Sequence, residues 1–281
     1  MSQKCKKALV FNQKGGVGKT TITCNLAASL ALLNKKVLVI DLDSQANSTR
    51  YLLGNIDTHY EQTIAAFFEA SLKLKLFSQG LASYIQATPF PNLSIIPSDP
   101  KLTEIQTKLE NRYKIMKLAS SLTELLKTKT FDFVFIDTSP SVNFYTMSAL
   151  AAVDSVLVPF DCDVFSAQAL EQVMDLISEV KEDHNPALML EGVIINQFIA
   201  SSKLPAKAVE TVRQNLSVKI LEPYLSSSVI IKESHALNTP LPFLKPNHKV
   251  SQEFLALARQ FSPVQGKSVA KKKEKHPGVS L

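Results

Sequence analysis

Seven consecutive residues, Lys14-Gly15-Gly16-Val17-Gly18-Lys19-Thr20, bring together what a polyphosphate asks of a protein: glycines, lysines and a hydroxyl. They follow a short apolar run, Ala8-Leu9-Val10-Phe11, and precede a long stretch of helical apolar periodicity. Strand, glycine loop and helix is the order of a phosphate-binding P-loop. The glycines let the backbone curl until its N–H groups point at phosphate oxygens. A helix beginning near Gly18 adds the positive end of its dipole. In this arrangement Lys19 reaches the β- and γ-phosphates, and the Thr20 hydroxyl holds Mg2+. Gln13 stands where the usual pattern opens with glycine, and Lys14 is a second lysine at the mouth of the loop.

A phosphate loop needs acidic partners before it can do chemistry. Asp137 ends the apolar run Phe133-Val134-Phe135-Ile136 and precedes Thr138-Ser139-Pro140-Ser141. Taken alone it reads equally as a helix cap or turn residue; beside a P-loop it is placed to hold magnesium through water. A second acidic stretch, Asp41-Leu42-Asp43-Ser44-Gln45-Ala46-Asn47, ends another early strand. Two aspartates one residue apart at the carboxyl end of a sheet sit where open α/β folds bind ligands. One of them would orient or activate the water that attacks the γ-phosphate; the alternative is loop solvation or capping.

These residues must be held by a scaffold. Further strand-like runs occur at Val37-Leu38-Val39-Ile40, Leu93-Ser94-Ile95-Ile96, Ser155-Val156-Leu157-Val158 and Gly192-Val193-Ile194-Ile195. Several are continuously apolar rather than alternating, the mark of strands buried on both faces of a parallel sheet. Helical patterns near 103–128, 141–152, 166–183, 205–216 and 248–261 separate them. The alternation implies an α/β fold, a doubly wound, mostly parallel sheet flanked by helices on both faces. Residues 54–92 read as short helices and loops on one edge. The organisation expected is one ATPase-type domain over 1–261 and a basic, disordered tail over 262–281.

The chain has 281 residues, a hydrophobic fraction of 45% and a net charge of +6. The charge is uneven: Lys4, Lys6 and Lys7 with the tail carry +7, leaving −1 on residues 8–261. The basic isoelectric point is therefore no argument for a basic binding face on the body. No apolar run approaches the roughly 18 residues a membrane span needs, and the first residues do not read as a secretory signal. The three cysteines, Cys5, Cys24 and Cys162, lie far apart without CxxC spacing, which fits a reducing cytoplasm. The histidines show no metal-ligand spacing.

Together, the loop 14–20, the stretch Asp41–Asn47 and the stretch Ile136–Ser141 resemble the deviant-Walker ATPases, and within them the ParA partition ATPases. The similarity continues through Ala149–Pro159 and Gly192–Asn196 and spans about residues 7–261. The resemblance implies ATP and Mg2+ as cofactors, held by Gly15, Gly16, Val17, Gly18, Lys19, Thr20, Thr21 and Asn196, with Thr20 and Asp137 (through water) at the metal. It makes Lys14 the signature lysine that reaches the partner subunit's phosphates in an ATP-bound homodimer. Asp43 would position the attacking water, and Asn196 would read the adenine edge; read without the family, Asn196 is an ordinary strand-end turn residue. Ser44 and Ser139 depart from the family, standing where it commonly carries proline, and Lys232–Ala236 follows its arginine-bearing stretch only loosely.

The expected partners are non-specific DNA of the nucleoid and a ParB-like protein that stimulates hydrolysis, in a cytoplasmic, nucleoid-associated setting. Such DNA binding rests on lysine and arginine against phosphate; the candidates are Lys203, Lys207, Arg213, Lys232, Lys245 and Lys249, with Lys271–Lys275 as a flexible arm. Each also reads as a solvated surface charge. The chain starts almost at its first strand, leaving no room for an N-terminal helix-turn-helix domain. A MinD-like membrane-associated positioning ATPase is the chief alternative, but residues 262–281 lack the apolar face an amphipathic anchor needs. An ATPase positioning a protein cargo is another. An iron–sulfur relative lacks suitably placed cysteines, and intact Lys19, Thr20, Asp43 and Asp137 argue against a non-hydrolysing scaffold.

Overall fold

The computed structural model describes residues 4–54, 60–73, 79–163, 166–215 and 218–262. The apolar runs form strands and the periodic stretches form helices, in the order β1 (Lys6–Val10), α1 (Lys19–Leu32), β2 (Val37–Asp41), α2 (Asn47–Leu53) and α3 (Ile64–Leu72). Next come β3 (Gln86–Ala87), β4 (Leu93–Ile96), α4 (Lys101–Asn111), α5 (Lys117–Thr128), β5 (Phe133–Asp137), α6 (Phe144–Ala152) and β6 (Ser155–Phe160). The rest are α7 (Ser166–Asp183), β7 (Met189–Ile195), α8 (Lys203–Asn215), β8 (Ile220–Leu221), α9 (Ile230–Ala236), α10 (Leu241–Leu244) and α11 (Lys249–Phe261).

The strands make one sheet in the order β3-β4-β2-β5-β1-β6-β7-β8. All neighbours run parallel except β3, which lies antiparallel on β4 at the margin. This is the doubly wound architecture that the continuous apolar runs imply. Side chains alternate between two cores as a period-two strand requires. Leu9, Leu38, Ile40, Val134 and Ile136 face the core built with α3 to α7. Val10, Val37, Val39, Phe133 and Phe135 face the core built with α1 and α11. Helix α1 is buried along most of its length, from Ile22 to Ala31. It is covered by the sheet on one side and by α2, α10 and α11 on others, which is why its sequence lacks a polar face.

Three details differ from the sequence pattern. The periodic stretch 103–128 is two helices, α4 and α5, broken where Tyr113 takes a left-handed backbone with φ 51°. Strand β7 begins at Met189, three residues before its apolar run, because Met189 and Leu190 pair with Ser155 and Val156 of β6. A Cβ at Gly192 would lie 2.9 Å from the Lys219 carbonyl oxygen. The segment between α2 and β4 contains, besides the expected short helices, the edge strand β3, too brief to leave a periodic trace. The basic tail lies outside the described residues, apart from Ser262. No helix among the described residues is long and apolar enough to cross a membrane.

Candidate functional site

Strand register sets the site. On the sheet's central strands Val10 pairs with Asp137, and Asp137 with Asp41. The loop after β1 and the acidic ends of β2 and β5 therefore share one level, at the carboxyl end of the sheet. The loop itself turns through Gly16 (φ 77°) and Gly18 (φ 93°), angles that glycine adopts without strain. Gly15 and Gly16 are exposed, whereas Val17 is fully buried and pins the loop to the core.

Two amides from the end of β7 clamp the loop from behind. Asn196 Nδ2 donates to the Val17 carbonyl at 2.8 Å, and Gln197 Nε2 to the Gly16 carbonyl at 3.0 Å. A Cβ at Gly18 would sit 2.3 Å from that Asn196 nitrogen. The Asn196 amide assigned to an adenine edge is thus engaged in shaping the loop. At the loop's entrance the buried Asn12 donates to the Pro159 carbonyl at 2.8 Å and accepts from the Lys14 N–H at 2.9 Å. Sequence reasoning passed over Asn12 and Gln197; a polar residue directly after an apolar strand is the one signal that Asn12 offered.

Lys19, only 8% exposed, donates Nζ to the Lys14 carbonyl at 3.0 Å. Burial lowers its pKa, while Asp137 and Asp43 oppose that shift. Thr20 Oγ1 donates to Asp137 Oδ2 at 2.7 Å, and Ser48 Oγ on α2 donates to the same oxygen at 2.7 Å. The other oxygen, Oδ1, is buried without a hydrogen-bond partner among the described residues. A buried carboxylate oxygen is costly to leave unpaired. A threonine hydroxyl beside it completes the donor set that Mg2+ takes, hard oxygens with room for retained waters. These residues fit the ion.

Asp41 and Asp43 divide their work. Asp41 is fully buried and accepts from Thr49 N and Oγ1 at 2.8 and 2.7 Å and from Asp43 N at 3.1 Å. It holds its own loop and the start of α2. Burial, then the charge of Asp137, pushes its pKa well above the carboxylate range, and burial does the same to Asp137. Asp43 lies two residues beyond the strand end; its Oδ1 accepts from Gln45 N at 3.0 Å and its carbonyl from Ser98 Oγ at 2.6 Å. Of the two, Asp43 is the one placed beyond the sheet to meet a ligand.

Thr21, the next loop residue, shares its hydroxyl with His235 Nε2 at 3.1 Å, and His235 stacks on Tyr51 with ring centroids 4.3 Å apart. A cavity of about 530 Å³ lined by Thr20, Asn47, Arg50, Tyr51 and His235 opens on this side. On the other side Lys14 Nζ contacts Asp161 Oδ2 at 2.7 Å and Asp163 Oδ2 at 2.9 Å, both just past β6. Neither aspartate stands out in the sequence. Burial lowers the Lys14 pKa, but the hydrogen bonds to the two carboxylates outweigh it and raise the balance.

Three of the cations considered for DNA have acidic neighbours. Arg213 lies 3.6 Å from Glu222, Lys245 3.5 Å from Glu233 and Lys249 3.7 Å from Glu253. Lys207 and Lys232 are exposed, and Lys203 begins α8. The structure thus brings together the loop residues, Asp43, Asp137 and Asn196; of the six cations, Lys203, Lys207 and Arg213 lie on α8, Lys232 on α9 and Lys249 on α11.

Comparison with known proteins follows the same outline. A family model described as an AAA domain matches residues 5–190. The chromosome partitioning protein ParA of Myxococcus xanthus is 30% identical over 252 residues, covering 89% of this chain and 86% of that protein. The sporulation initiation inhibitor protein Soj of Bacillus subtilis is 29% identical, covering 89% and 96%. Among solved structures, the cobyrinic acid a,c-diamide synthase of Mycobacterium smegmatis with bound ADP and magnesium superposes with a TM-score of 0.77 at 22% identity, covering 91% and 93%. The septum site-determining protein MinD of Pyrococcus horikoshii with Mg-ADP gives 0.71 at 22%, covering 94% and 98%.

Proposed function

This chain belongs to the ParA/Soj family of P-loop ATPases, and from that premise we propose that it is a Mg2+-dependent ATP hydrolase that dimerises on ATP, binds DNA without sequence preference and lets go on hydrolysis. The observation that carries the reading is the meeting of Thr20 and Asp137 at 2.7 Å beneath the loop, with Asp43 just past the end of the neighbouring strand. Backbone N–H groups from Gly15 to Thr21 cradle the phosphates, and Lys19 neutralises charge on the β- and γ-phosphates. A bound Mg2+ would supply positive charge to offset the charge that develops during transfer. Thr20 would supply its hydroxyl to that ion, and Asp137 would hold waters of its shell with the oxygen that is otherwise unpaired among the described residues. Asp43 orients the attacking water.

Lys14 lies outside the cradle and serves the partner subunit's γ-phosphate, so hydrolysis waits for dimerisation. A ParB-like partner completes the positioning and speeds turnover. The relatives named for chromosome partitioning support a role in DNA segregation.

Co-sedimentation with DNA across a salt series tests the reading. Binding should require ATP, fail with ADP and fall steeply as salt rises, because each phosphate contact releases a counterion. Capture by anionic vesicles instead of DNA would replace this reading with a membrane-surface one.

A further inference from the structure

We propose that Asp161 and Asp163 are positioning residues that hold Lys14 within its own subunit and so set the threshold at which two ATP-loaded subunits join. The inference rests on the trans role given to Lys14 above and adds what regulates it. Lys14 Nζ has three protons to donate, and Asp161 and Asp163 accept from it at 2.7 and 2.9 Å. The lysine side chain is 25% exposed, and those of Asp161 and Asp163 are 16% and 50% exposed. The bond to Asp161 is therefore partly shielded from water, and the one to Asp163 is exposed.

The geometry is fixed from both sides. Asn12 ties the Lys14 backbone N–H to the Pro159 carbonyl, two residues before Asp161. β1 and β6, which carry the two loops, are neighbours in the sheet. The lysine and its carboxylates thus stay in register as long as the sheet does. A groove of about 340 Å³ lined by Gln13, Lys14, Gln168, Ala169 and Gln172 borders the lysine, so its side chain has room to swing out.

To serve a second subunit, Nζ must leave both carboxylates. A partner offering a γ-phosphate presents a larger negative charge than one offering ADP, and is better able to draw the lysine away. The latch therefore discriminates between nucleotides before any hydrolysis occurs. Ion pairs of this exposure shift an equilibrium by a factor of up to about five. In a two-fold dimer two latches open, so the factor enters squared, about 25.

Sedimentation of the full chain with Mg2+ and a non-hydrolysable ATP analogue tests this. Asp161→Asn with Asp163→Asn should tighten the dimer roughly 20-fold, Asp163→Asn alone less, with monomer affinity for the analogue unchanged. Adding Lys14→Gln should erase the gain. Dimerisation unchanged or weakened in the double variant would overturn the latch, since the aspartates would then be orienting Lys14 for its partner. A gain that survives Lys14→Gln would also overturn it, leaving simple relief of acidic repulsion. If instead the unmodified chain and Lys14→Gln dimerise equally, the trans reading itself fails, and the latch with it.

Discussion

Asp137 carries opposing demands. In the role proposed for it, holding the shell of a cation, it must be ionised, yet it is fully buried beside the equally buried Asp41. Burial raises its pKa, while Ser48, Thr20 and Lys19 pull it down only in part. A carboxyl whose folded pKa exceeds its unfolded value binds more protons when folded, so it favours the nucleotide-free fold at low pH. That contribution is lost as pH rises from about 4 through the raised value. Without nucleotide, the melting temperature should therefore fall between about pH 4 and about 6 more steeply than in Asp137→Asn. Saturating Mg2+ and nucleotide should flatten the difference. Parallel melting profiles for the two proteins would show that Asp137 is not taxed by its burial. The pairing of Asp137 with a P-loop was legible because both lie at the ends of apolar strands. The Ser48 contact was not: it joins residues 89 apart through a fold that sequence does not display.

At the scale of elements, the loop between β1 and α1 is shaped by contacts from the end of β7. Gly18 has two reasons to be glycine, its φ of 93° and the Asn196 amide where a Cβ would stand. Gly18→Ala should weaken nucleotide binding at least about tenfold, because a left-handed backbone alone costs a residue with Cβ about 1–2 kcal/mol and the displaced amide gives up its bond to Val17. In an Asn196→Ala background the same change should cost less, since only the backbone penalty remains. Calorimetric titration of the four proteins separates the two; equal losses would mean that β7 does not brace the loop. The elements themselves were readable, since runs such as Val37–Ile40 and Phe133–Ile136 can hardly be other than buried strands. The break between α4 and α5 escaped because Arg112-Tyr113-Lys114 contains neither glycine nor proline to announce a turn. The clamp by Asn196 escaped because it bridges 179 residues, a distance that periodicity cannot register.

For the whole molecule, the question is what would hold two copies together in the proposed dimer. Lys14→Gln removes a cation outside the cradle, so it should leave nucleotide binding within about two-fold while abolishing ATP-dependent dimerisation and partner-stimulated turnover. Equilibrium binding together with light scattering would separate these effects; unchanged dimerisation would remove Lys14 from the contact. The sheet itself offers little alternative. Each margin ends in a strand of two residues, β3 on one side and β8 on the other. A second chain seeking to extend the hydrogen-bond ladder would find almost no free rung, as in other proteins that blunt their edges. Self-association is thereby steered away from strand addition, which is insensitive to nucleotide and prone to run on into fibres. The pairing proposed above uses the rim at the carboxyl end instead, where a joint could be made and unmade with each nucleotide cycle.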